Sequence, residues 1–133
     1  MPTSDNPSPI VLAQRIRNRI IEYLAIASSY AEQREYERSV PLVNVPSEII
    51  CQWEDWVRNL DWFSEPVFSP NEQKAIREFH AIWESVADDT PRIMPPLSDL
   101  IGMETWERLR QGAESALKVF EGRGKFSEER EAF

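Results

Sequence analysis

The chain has 133 residues, 41% hydrophobic and 29% charged, with a net charge of −8. That size encloses one hydrophobic core without disulfide or metal staples, and the composition lies far from that of disordered chains. The negative excess falls entirely in residues 46–133, where ten basic residues face eighteen acidic ones, which argues against nucleic acid as a partner because binding phosphate requires a basic stripe.

Ten prolines fall in clusters and leave proline-free runs at 10–40, 47–65, 71–90 and 97–133. Proline lacks a backbone N–H and clashes with the preceding turn, so it is expelled from helix interiors. The clusters therefore punctuate helices. Residues 1–8 read as a flexible arm. Ser8-Pro9 starts the first helix, and Ala13, Ile16, Ile20, Tyr23, Ala27 and Tyr30 continue it at spacings of three and four toward Arg38. The expectation is one unbroken spine, about 42 Å long, whose polar end overhangs the core. Arg15 and Arg19 share one of its faces and are expected to pair with the acidic later helices.

Ser39 to Val45 alternates weakly, but Pro41 makes it a loop. A second helix follows Val45-Pro46, with Ile49, Ile50, Trp53, Trp56, Val57 and Leu60 on one face. Cys51, the one cysteine, sits in this apolar run and is expected to be a buried small hydrophobe in a reducing compartment. Beyond Leu60 the period lapses into an aromatic connection around Pro66. Ser69-Pro70-Asn71-Glu72 is the clearest start signal in the chain, the serine capping forward and the glutamate reaching back. Ile76, Phe79, Ile82, Trp83 and Val86 form the core face of that third helix, which ends at Asp88-Asp89-Thr90-Pro91. Ser98-Asp99 suits a short turn. The fourth helix carries Trp106, Leu109, Ala113, Ala116, Leu117 and Phe120, and Gly122 and Gly124 stop it. Lys125 to Phe133 reads as a charged tail, frayed or forming one extra turn. The resulting expectation is an all-α, single-domain antiparallel four-helix bundle, residues 9–124, with proline-rich connections.

No catalytic, cofactor or phosphate-loop signature emerges. The single histidine, His80, stands one turn from Glu84, a spacing at which both could share a metal, but further ligands are missing and Arg77 replaces the glutamate of a Glu-x-x-His motif. His80 is expected on the helix surface, paired with Glu84. A metal-dependent enzyme is accordingly the weakest of three readings. Cys51 and His80 make a poor nucleophile and base, since apolar surroundings blunt the thiolate. Glu54-Asp55 and Asp88-Asp89 are adjacent, so each pair diverges by about 100° around its helix.

What remains is a surface. Residues 53–68 hold Trp53, Trp56, Trp62, Phe63 and Phe68 among Glu54, Asp55, Asp61 and Glu65, opposed only by Arg58. Trp53, Trp56 and Phe68 fit a core face; Trp62 and Phe63 lie outside the helical period and are the candidates for exposure. The expectation is a cofactor-free, non-enzymatic, cytoplasmic protein-binding module, in its sharpest form an inhibitor or immunity protein that neutralises a basic toxin. Asp61, Trp62, Phe63 and Glu65 would be its anchors, with Glu54 and Asp55 steering the partner. The alternative is a structural helical protein that self-associates as a homodimer. The opening residues show no basic stretch followed by an apolar one, and no apolar run reaches membrane length, so neither a leader nor a membrane is expected.

Overall fold

The computed structural model describes residues 6–133, in which six α-helices and one short 3-10 turn account for the regular structure and no strand occurs among the described residues. The helices are α1 (Pro9–Ala27), α2 (Tyr30–Ser39), α3 (Val45–Trp56), α4 (Pro70–Asp89), α5 (Leu97–Leu100) and α6 (Glu104–Glu121), with the 3-10 turn at Leu60–Trp62. The all-α expectation holds. Most of the arm read at residues 1–8 lies outside the described residues.

Helix starts follow the anticipated chemistry. Ser8 accepts from the Val11 N–H, Asn44 from Ser47 and Ser69 from Glu72, each satisfying an N–H left free by the first helical turn. At α4 the box is complete, because the Glu72 carboxylate accepts in return from the Ser69 N–H at 3.0 Å.

The spine is not one helix. It breaks at Ser28-Ser29, where Ser29 caps α2 by accepting from Glu32 N and the Ser28 hydroxyl donates to the Ala25 carbonyl. Gln33 turns inward rather than overhanging: fully buried, it donates to the Ile26 and Ala27 carbonyls and accepts from the Trp106 indole N–H at 2.9 Å. One carboxamide thus satisfies the Ala27 carbonyl left free at the end of α1, adds a second donor to that of Ile26, and ties the break to α6. The polar residues expected to overhang instead form a helix that leans on the body, with the Tyr30 hydroxyl donating to Glu107 and Gln52 donating to the Tyr36 hydroxyl.

The core collects Ile20, Tyr23 and Leu24 from α1, Ile49 and Trp53 from α3, Ile76, Phe79 and Val86 from α4, and Trp106, Leu109 and Phe120 from α6. Trp53 meets the Phe79 ring edge-on at 4.6 Å and 78°, a geometry favoured by the aromatic quadrupoles. Polar tips inside this core find partners: Tyr23 donates to the Ile49 carbonyl and Trp83 to that of Ile50. Burial pushes the Tyr23 phenol far above its usual range, so it remains a donor. Between α4 and α6, contacts step up one helix as they step down the other, from Asp89 with Arg108 to Glu72 with Arg123. Gly112 allows this approach, because a Cβ there would lie 2.8 Å from the Ile82 Cδ1.

Cys51 is exposed, contrary to expectation. At 100° per residue it points about 200° around α3 from the buried Ile49, so the apolar run that contains it is not an apolar face. The charged tail is ordered too, lying along α1. Arg15 and Arg19 pair there rather than with the acidic later helices: Arg15 donates to the Glu128 carbonyl, and Arg19 binds the Glu128 and Glu22 carboxylates.

Candidate functional site

The aromatic connection between α3 and α4 is built outward from the core. Val57 closes α3 and is buried; Asn59 then accepts from the Asp61 N–H at 3.0 Å, starting the 3-10 turn. Phe63, Val67 and Phe68 enter the core, with Phe63 and Phe68 ring centroids 4.9 Å apart and Phe68 against Phe120. Between them the chain bulges outward through Ser64, Glu65 and the cis Glu65–Pro66 peptide.

This anchoring separates the two aromatic candidates. Trp62 is 48% exposed, whereas Phe63 is only 4% exposed. Phe63 is therefore a correction to the expected surface: it forms the floor, and Trp62 stands edge-on upon it at 5.3 Å and 86°. A second edge contact, to Phe68 at 6.3 Å, holds the indole from behind. A large apolar ring is thereby presented to solvent on a rigid base.

The acidic candidates all lie at the surface. Glu54 and Asp55 are exposed on the last turn of α3, and Asp61 and Glu65 are exposed beside Trp62. Asp61 is not a free anion, because Arg77 of α4 binds its carboxylate at 2.7 Å. Arg77, His80 and Glu84 follow at helical spacing along α4, and His80 and Glu84 line a shallow groove together with Glu54, Asp55, Arg58 and Trp83. The groove holds three carboxylates, Glu54, Asp55 and Glu84, against the one guanidinium of Arg58, and Arg77, one turn before His80 on α4, links this stretch of the helix to Asp61.

His80 meets Glu84 as expected, with Nε2 3.7 Å from its carboxylate, but the ring is not simply a surface one. It is partly buried, stacked on Trp83 with ring centroids 5.3 Å apart, and its Nδ1 accepts from the Trp53 indole N–H at 3.1 Å. An indole can only donate, so the neutral ring carries its proton on Nε2, toward the Glu84 carboxylate 3.7 Å away. Among the described residues no three His, Cys, Asp or Glu side chains group as a metal site. Cys51 stands near Glu48, Glu54 and Asp55; partial burial and then these carboxylates push its thiol up, which suppresses the nucleophilic thiolate.

Sequence reasoning missed a buried ionic cluster behind this face. Arg17 of α1 and Glu72 of α4 are both buried and meet at 2.7 Å, while Arg123, just past α6, binds Glu72 at 2.6 Å and the Val67 carbonyl at 2.7 Å. Arg123 also reaches the Pro66 carbonyl, so the cluster fixes the far end of the aromatic connection. Its signal lay in Arg17, a charge adjacent to the apolar stripe of α1. No family model, curated protein or solved structure matches the chain.

Proposed function

We propose that this chain is a small, acidic, non-enzymatic module that binds a basic surface of another protein, as an inhibitor or immunity protein occupies the active site of a toxin. Its scaffold would be an antiparallel arrangement of the four long helices α1, α3, α4 and α6. The observation that carries the reading is Trp62: a half-exposed indole seated on buried rings, within a predominantly acidic field. A preformed aromatic anchor binds with little ordering cost, and neighbouring carboxylates accelerate the approach of a cationic partner. The exposed, unpaired thiol of Cys51 supports a reducing, cytoplasmic setting.

The test is affinity for a partner recovered from the native host. Trp62→Ala should weaken that complex about 30-fold or more, the scale of an interfacial hot spot, while the chain keeps its helical circular dichroism and a cooperative melt. Glu54→Lys combined with Asp55→Lys should slow association and reverse its salt dependence. A partner held equally well by the wild type and by Trp62→Ala would overturn the assignment.

A further inference from the structure

Among the described residues two side-chain hydrogen bonds join α3 to α4: the Trp83 indole N–H donates to the Ile50 carbonyl at 3.0 Å, and the Trp53 indole N–H donates to Nδ1 of His80 at 3.1 Å. The first acceptor does not titrate. The second does, because histidine ordinarily changes charge between about pH 5 and 8. Trp53 is fully buried, its ring centroid 5.4 Å from that of Tyr23 and 4.6 Å from that of Phe79. His80 is only partly buried, and its Nε2 is directed at Glu84 on the wall of the acidic groove. The bond between the two rings therefore runs from the core to the surface.

One nitrogen of a neutral imidazole carries the proton and the other accepts, so a further proton adds only at Nδ1, the atom that Trp53 occupies. Both nitrogens of the charged ring are donors, and turning the ring over presents another N–H. The charged ring and the Trp53 bond thus exclude each other. Charged groups reach this ring from each neighbouring element: Glu84 and, one turn before His80, Arg77 on α4, Glu54 and Asp55 on α3, and Arg58 beyond it. The three carboxylates attract a charged ring, whereas the buried indole needs a neutral one.

We propose that His80 is a proton switch that latches α3 to α4. The neutral ring holds the latch through Trp53. Uptake of a proton from water at Nδ1 breaks it, leaves the indole N–H in the core without its acceptor, and sets the ring's new charge among Glu54, Asp55 and Glu84. The Trp83 bond to Ile50 remains, so α3 loosens over its last turn and stays on the body. In the groove three carboxylates then face two cations in place of one. The switch belongs to the fold and does not depend on what the acidic face binds.

His80 is the one histidine of the chain, so its ring resonances are unambiguous in an NMR titration from about pH 8 to about pH 5, followed together with the Trp53 indole N–H. At the upper pH the ring should carry its proton on Nε2. As it gains the second proton, the indole resonance should move upfield with the same midpoint, as loss of a hydrogen bond requires. His80→Asn places an oxygen acceptor where Nδ1 stands and keeps every surrounding charge, but it gains no proton, so its indole should stay bonded and lose the pH-dependent shift. Four results would each overturn the proposal: an indole resonance that stays in place while His80 protonates, a shift of equal size in His80→Asn, a neutral ring protonated on Nδ1, or a ring that remains neutral until the chain unfolds. Should His80→Asn not fold, the wild-type titration decides alone, since the two resonances either share a midpoint or do not.

Discussion

Glu72 shows how one side chain can hold three separate parts of the chain. Its carboxylate accepts from its own helix start at Ser69, from Arg17 on α1 and from Arg123 beyond α6. Burial alone would push this carboxyl up; hydrogen bonds from Arg123, Arg17 and the Ser69 backbone override that and hold it below the ordinary range. Since the unfolded glutamate titrates near about 4.3, the unfolded chain takes up the proton first. The stabilisation is therefore complete above that pH and is lost as pH falls through the lower folded value. Glu72→Gln leaves Arg17 buried with its counter-charge gone, and the expected cost is about 3–5 kcal/mol near neutral pH. Urea unfolding of both chains from about pH 7 down to about pH 2 should show that difference shrinking below about pH 4. A gap independent of pH would mean that the capping geometry, rather than the ion cluster, is what Glu72 supplies. Glu107 is held down at about 2 by Arg110, Tyr30 and Gln111, but it lies in solvent, where such pairing contributes little to the same titration.

The break between α1 and α2 shows why a helix end can hide in a sequence. Ser29 and Glu32 stand at the same spacing as Ser69 and Glu72, and both serines cap. Proline at the next position isolates the second pair from what precedes it; the first sits in a run whose apolar stripe continues through Tyr30. What settles the break is tertiary: the carboxamide of Gln33 bridges the end of α1 to the Trp106 indole, 73 residues away. No local pattern carries that contact. Gln33→Leu keeps a comparable volume but strands the Ala27 carbonyl and the Trp106 indole N–H, while Ile26 keeps its bond from Ser29 N, and is expected to cost about 2–3 kcal/mol in thermal unfolding. A loss below about 0.5 kcal/mol would show that the two serines alone set the break.

At the scale of the molecule, helix identity was legible because proline exclusion and three-and-four periodicity are properties of local backbone, whereas the placement of Cys51, Phe63 and residues 125–133 depends on which surfaces the packing leaves open. Trp62 and Phe63 carry the same local signal, two aromatic residues after a lapsed period. Only the edge-on packing of Phe63 against Phe68, and of Phe68 against Phe120, assigns one to the core and the other to solvent. That division makes a matched pair of substitutions informative. Phe63→Ala empties a site walled by Phe68 and the core, with an expected loss of about 3–5 kcal/mol. Trp62→Ala removes a half-exposed ring and its edge contacts, about 1–2 kcal/mol. Their melting curves, measured side by side, should therefore separate by several degrees, with Phe63→Ala the lower. Equal losses would mean that the Trp62 indole is as much a part of the core as Phe63, leaving the acidic face without an aromatic anchor.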